Sequence, residues 1–223
     1  MENFLEQEKV RAVIYHLLAS CYRMPEDKRI NESSLIQLRT LLLEHHPEAA
    51  AHVEKMITEI ETTKLSEEIR GDYLALFVGP KALLAPPYGS LYLENKHQIM
   101  GDSTREAMKF YEAAGLKKTD EMNEPDDHIC IELEFVYYLI SRVVESCEAE
   151  NYEAAEEFGK LQQEFLKRHV GNWVRPFTQN VNRQAKTHFY KHLGLATELF
   201  VRKEATEDSH QMMLELKELA ALN

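Results

Sequence analysis

With three cysteines, one tryptophan, seven prolines and eight glycines in 223 residues, the chain falls outside several protein classes. Cys21, Cys130 and Cys147 are odd in number and far apart, which fits neither a disulfide framework nor the paired spacing of a zinc knuckle. They read as reduced, mostly buried thiols. Cations are scarce, with 26 Lys plus Arg against 38 acids and a formal net charge of −12. Binding to a phosphate backbone runs on clustered cations, so no nucleic acid is expected as a partner, and cationic partners fit better. No apolar run approaches the roughly 20 residues that span a bilayer. The opening MENFLEQEKVRAV also lacks the positive segment and apolar core of a secretory signal. The expectation is a soluble, cytoplasmic protein without membrane insertion.

The dominant apolar period is 3.6 and no alternating strand stands out, which predicts an all-α fold: a compact bundle of about nine helices. Phe4, Val10, Val13, Ile14, Leu17, Leu18 and Cys21 stripe a first helix that should stop at Met24, because Pro25 disfavours the helical conformation before it. NESSLIQLRTLLLEHH reads as a second helix. Pro47 opens a third, its missing N–H being one of the orphan donors of a first turn. A fourth spans about Ser66 to Phe77.

GPKALLAPPYGSLYLENKHQIMG is the one long irregular segment. Loops of this length in a compact domain are functional or disordered, and this one is too rich in Leu, Tyr and Ile for disorder. Ser103 and Glu106 have capping-box spacing for the next helix, with Gly115 as its left-handed cap. The polar stretch GLKKTDEMNE then predicts a hinge. The domain reading is a lobe over 1–114, a hinge over 115–124 and a lobe over 125–223. Four further helices are expected in the second lobe: one striped by Ile129 to Val143, one by Ala154 to Phe165, one carrying Trp173, Phe177, Val181, Phe189 and Leu193, and a closing MMLELKELAAL. Trp173 reads as core.

EPDDHICIELEF, residues 124–135, can be a capped helix start or a functional site. Pro125 near the first helical position, Asn123 as a cap, and Asp126 and Asp127 in the first turn are what a helix N-terminus favours, since carboxylates complement its unpaired N–H groups and dipole. His128 is less ordinary there. Protonated, it would need Asp127, Glu124 or Glu132 to offset its charge, and histidines often serve as switchable contacts. Both readings stay open on these residues alone.

At this point a resemblance appears. E-P-D-D-H-I followed by Glu132, Leu133 and Phe135 resembles the E-P-x-D-H signature of the TorD/DmsD family, cytoplasmic chaperones that mature molybdopterin-dependent reductases. GDYLALFVGPKALLAPPYGSLYLE is similar to that family's D-Y-x-x-L-F-x-G-P stretch with its proline-rich loop and Ser-x-Tyr. FLKRHVGNWVRPFTQNV is similar to its F-x-x-x-H-x-x-x-W-x-x-x-F segment. The three occur in the family's order across roughly residues 70–200, while the first 65 residues match only in being helical. The resemblance implies an all-helical chaperone, not an enzyme, that binds the twin-arginine leader of a partner reductase and delays its export until the cofactor is inserted. Its leader-binding and signature positions would be Tyr73, Phe77, Gly79, Pro80, Pro86, Pro87, Tyr88, Ser90, Pro125, Asp127 and His128. Gly89 departs from the pattern, standing where many members carry a larger, often acidic residue. The resemblance also implies domain-swapped homodimers and weak binding of guanine nucleotide. No G-x-x-x-x-G-K loop is present, and neither a nucleotide site nor any cofactor or metal is expected.

The residues support the same mechanism. A leader carrying a basic pair before an apolar stretch suits a net acidic surface beside an aromatic, proline-bounded groove. Tyr73 and Phe77, four apart on one helix face, are by ordinary burial core residues, and their place just before the loop favours function. The reading from another class is a di-metal oxidase, which needs two Glu-x-x-His pairs and two further glutamates. Glu94 with His97 and Glu207 with His210 have that spacing, and His188 with His192 adds an i, i+4 pair. A hydrolase is weaker: no Gly-x-Ser-x-Gly elbow exists, and Cys130 lies on an apolar helix flank.

Overall fold

The computed structural model describes residues 2–25, 32–63, 67–79, 83–94, 98–116 and 124–221, without the side chains of 61–63, 207–211 and 219–221. Regular structure among these residues is helical throughout. The order is α1 (Glu2–Cys21), α2 (Glu32–Leu42), α3 (Pro47–Thr63), α4 (Glu67–Tyr73), α5 (Ser90–Leu93), α6 (Asp102–Ala113), α7 (Ile129–Glu148), α8 (Tyr152–Arg168), α9 (Val170–Gln184), α10 (His188–Lys203) and α11 (Ser209–Ala221). Wide π-helical turns extend α4 over Leu74–Val78 and link α10 to α11 over Glu204–Asp208.

Several local expectations shift. α1 ends at Cys21, and Tyr22 and Arg23 close it with bonds to carbonyls three residues back, so the chain leaves the helix before Pro25. Ser103 does not head a capping box. Gly101 is the N-cap of α6, and the Glu94 carboxylate accepts from both Ser103 N–H at 2.8 Å and Ser103 Oγ at 2.6 Å, doing for the first turn what a cap would. Gly115 is left-handed, with φ 79°, as its place after α6 requires. The helix expected to run from Trp173 to Leu193 is two: α9 ends at Gln184, and Thr187 caps α10 by accepting from Tyr190 N–H. Asp72 fixes that break, its Oδ2 accepting from Lys186 N–H, Thr187 N–H and Thr187 Oγ at 3.0, 2.9 and 2.7 Å. Gly171 lies beyond the end of α8 at Arg168 and already within the first turn of α9, because the chain turns sharply at His169.

α1 lies along α7, α3 along α10, and α7 along α8, with α9 against α10. One apolar cluster takes Leu18, Leu38, Val53 and Leu76 together with Leu133, Trp173, Phe177 and Leu193, so helices before and after the polar segment 115–124 share a core. Burying a Leu- or Phe-sized side chain contributes about 1.5–3 kcal/mol, which makes this shared packing the main source of cohesion. Trp173 is fully buried. All three cysteines are free and buried; burial pushes the Cys21 and Cys130 thiols up to about 12 and Cys147 to about 11, so they pack as inert apolar groups.

Candidate functional site

The π turn after α4 places Tyr73, Leu76 and Phe77 against the core and ends on Gly79, whose N–H reaches back five residues to Leu74 O at 2.6 Å. Gly79 sits at φ 52°, ψ 146°, an arrangement that a side chain would strain. The chain then runs through the proline-rich loop, where Ala85 N–H bonds Leu76 O and Tyr92 Oη donates to Pro86 O at 2.9 Å.

The loop docks on the signature segment. Tyr88 and His128 form an isolated antiparallel bridge, Ile129 N–H donates to Pro87 O at 2.8 Å and Gly89 N–H to Asp127 O at 2.9 Å. Asp127 Oδ2 accepts from Ser90 N–H at 2.7 Å. Tyr88 Oη reaches Glu124 Oε2 at 3.3 Å, and its ring stands edge-on to His128 at 5.4 Å. Pro87, Ser90, Asp127 and His128 are buried, whereas Gly79, Pro86, Tyr88 and Pro125 are half-buried and form the rim. Tyr73 and Phe77 are buried too: Tyr73 Oη donates to Tyr22 O at 3.3 Å, and Phe77 packs on Tyr22, Phe177 and Tyr190. Pro80, Asn123 and most of the hinge lie outside the described residues.

His128, rather than Asn123, is the N-cap of α7, and its Nδ1 accepts from Cys130 N–H at 3.1 Å. That nitrogen therefore carries no proton. Burial, reinforced by the Arg23 cation, lowers the imidazole to about 4, so the ring is neutral and needs no offsetting carboxylate. One turn on, Glu132 is fully buried, which raises its carboxyl well above the usual range. Glu132 Oε2 accepts from Trp173 Nε1 at 2.8 Å, and His169 Nδ1 lies 3.7 Å from Oε1. A Cβ on Gly89 would fall 2.9 Å from Trp173 Nε1 and 3.3 Å from Glu132 Oε1, which explains why glycine stands there. The three motif segments thus meet in one place, joined by Trp173, Glu132 and Gly89. The sequence reading missed this joint; the acid Glu132 within the apolar run ICIELEF was its signal.

Among the described residues no di-metal arrangement is assembled. Glu94 is bonded to Ser103, which lowers its carboxyl below the usual range. His192 Nδ1 faces His52 Nδ1 at 3.0 Å, and no group of three or more ligand-type side chains suited to a metal occurs among the described residues. His97 and the side chains of Glu207 and His210 are outside them.

An all-helical bundle whose proline-rich loop is clamped to the start of a central helix defines the class, and the comparisons agree with it. The chain belongs to the nitrate reductase delta subunit family, whose model matches residues 42–179, and within it to the TorD/DmsD chaperones. It is similar to the chaperone protein TorD of Shewanella pealeana, 28% identical with 89% of each chain covered. It is also similar to DmsD of Haemophilus influenzae, named as a Tat proofreading chaperone, 27% identical with 88% of this chain and 89% of that one covered. A crystal structure of a candidate redox enzyme maturation protein from Archaeoglobus fulgidus shares the fold, with TM-score 0.52, 20% identity, and 86% of this chain and 94% of that one covered. No helix among the described residues is long and apolar enough to cross a membrane.

Proposed function

We propose that this protein is a cytoplasmic chaperone that binds the twin-arginine leader of a molybdopterin-dependent reductase and holds back export until the cofactor is in place, with no turnover of its own. The observation that carries this reading is kinship along nearly the whole chain with proteins named as TorD and as a Tat proofreading chaperone. The geometry supports a division of labour. Pro86, Tyr88 and Pro125 offer a half-exposed aromatic and proline rim for the apolar part of the leader. Tyr73, Phe77, Gly79, Pro87, Ser90, Asp127 and His128 hold that rim in shape from beneath; Pro80 completes the proposed set.

Apolar burial contributes roughly 25 cal/mol per Å2 while exposed ion pairs contribute about 0.2 to 1 kcal/mol each, so the apolar stretch sets affinity. The arginines set selectivity and encounter rate. Calorimetric titration with the leader peptide of a molybdoenzyme encoded beside this gene tests the proposal. Saturable one-to-one binding is expected; tightly held stoichiometric iron, manganese or zinc with no leader binding would overturn it.

A further inference from the structure

A cleft opens away from the signature segment. It lies between the N-terminal half of α1, the end of α2 and the α10–α11 junction, with a volume of about 460 Å3. Pockets of a few hundred Å3 hold a handful of side chains rather than a folded partner. Its apolar lining is Phe4, Val10, Ile14, Leu41 and Met212. Its charged lining is one-sided: Glu6, Glu8, Glu44, Glu204 and Glu215 against Arg11 and Lys203.

Both cations are already engaged. Arg11 is 9% exposed and donates from Nε to Glu204 Oε2 at 2.8 Å and from Nη2 to the same oxygen at 2.6 Å, while its Nη1 pairs with Glu8. Lys203 Nζ donates to the His45 carbonyl at 3.0 Å. One guanidinium thus faces two buried carboxyls, Glu8 and Glu204, and the rim adds Glu44 and Glu6, whose side chains are 83% and 68% exposed. The π turn at Glu204–Asp208 is what carries Glu204 inward, and single π turns inside helical runs recur at functional sites. The other such turn among the described residues, Leu74–Val78, leads into the proline-rich loop.

We infer that this acidic cleft receives the adjacent arginine pair of the leader, with the stems of the arginines on Phe4, Ile14, Leu41 and Met212 and the guanidinium groups against the glutamates. The inference rests on the chaperone reading and adds the location that the signature segment does not supply. Asp127 is enclosed at 1% exposure and holds Ser90 N–H, so it is closed to an arginine, whereas Glu44 and Glu6 face solvent beside the apolar lining of the cleft. Arginine suits it better than lysine, because a planar, weakly hydrated guanidinium pairs bidentately with carboxylates and lies flat on apolar groups.

Fluorescence anisotropy with a labelled synthetic leader peptide bearing Arg-Arg, and its Lys-Lys counterpart, tests this on wild type, Glu44→Gln/Glu215→Gln and the all-surface pair Glu6→Gln/Glu44→Gln. The second pair keeps the test valid should the change at Glu215 lower the melting temperature. The expected result is a tenfold or greater loss of Arg-Arg peptide affinity in the variants, a flatter dependence on salt, and a smaller preference for Arg-Arg over Lys-Lys. Variants that bind the Arg-Arg peptide within twofold of wild type overturn the cleft assignment and leave the chaperone reading intact. Equal losses for both peptides overturn it as well, since only a diffuse acidic field would then be acting. A wild type that binds neither peptide overturns both readings.

Discussion

The backbone N–H of Ser90 donates to Oδ2 of Asp127 across 2.7 Å, and this contact between two buried residues ties the proline-rich loop to the start of α7. Asp127→Ala would leave a buried N–H without its acceptor, a loss of about 1–3 kcal/mol. Asp127→Asn keeps a side-chain oxygen in reach and is expected to lose less. Urea unfolding of the two variants measures the difference; an alanine variant as stable as wild type would remove the clamp from this account.

Gly89→Ala should disturb the same joint from the other side. The new methyl would lie 2.9 Å from Trp173 Nε1 and 3.1 Å from its Cε2, inside a packed ring system that Tyr92 stacks on at 5.6 Å. Overpacking of this kind costs about 1–3 kcal/mol. Trp173 is the only tryptophan, so its emission reports the displacement directly. An unchanged spectrum and melting temperature would mean that the loop moves aside without loss.

Stability should depend on pH through two sets of buried groups that act with opposite sign. Burial, with help from Arg23 and Arg168, lowers His128 and His169 from 6.5 to about 4. The unfolded chain therefore binds the extra protons, and the stability that these neutral rings contribute is present above pH 6.5 and lost as pH falls through about 4. Glu132 is displaced the opposite way, upward from 4.5 by burial against the opposing Trp173 hydrogen bond. Its contribution is complete below pH 4.5 and disappears as pH rises through the folded value. Each pH unit of displacement corresponds to about 1.4 kcal/mol. Melting curves across the pH range should show His169→Gln weakening the loss of stability on acidification and Glu132→Gln weakening the loss as pH rises above 4.5. Parallel curves for wild type and both variants would contradict this assignment.

Exchange of the segment after residue 124 between two chains is expected as a minor route to dimers. α1 packs along α7 and α3 along α10, so a swapped dimer would remake these same interfaces between chains rather than build new ones. Those interfaces must first separate, and mild acid should speed the exchange. Size-exclusion chromatography before and after such treatment reads the dimer fraction. A strictly monomeric profile under every condition would rule exchange out.

How much of the fold was legible follows from what each signal measures. Helix positions came through because a 3.6-residue apolar period and Pro47 act locally, and they placed α1, α3, α7 and α8 closely. The break between α9 and α10 did not, because it depends on Asp72, more than a hundred residues away, holding three donors of Lys186 and Thr187. Ser103 and Glu106 have the spacing of a capping box, yet the carboxylate that serves the turn comes from Glu94, which only the loop's path brings near.

By itself the sequence determined an all-helical chain, acidic and poor in cations, with three ordered motifs on a helix, a loop and a later helix. Tertiary structure decided what those motifs are to one another. It turned His128 from a presumed charge into a neutral cap, buried Asp127 as a clamp, and paired Glu132 with Trp173 from another motif. It also gathered glutamates from α1, the turn after α2, the π turn and α11 into one cleft. The physical reason is range. Periodicity and capping act within a few residues, whereas burial, and with it the protonation and hydrogen-bonding of a buried side chain, is set by whatever distant segments fold over it.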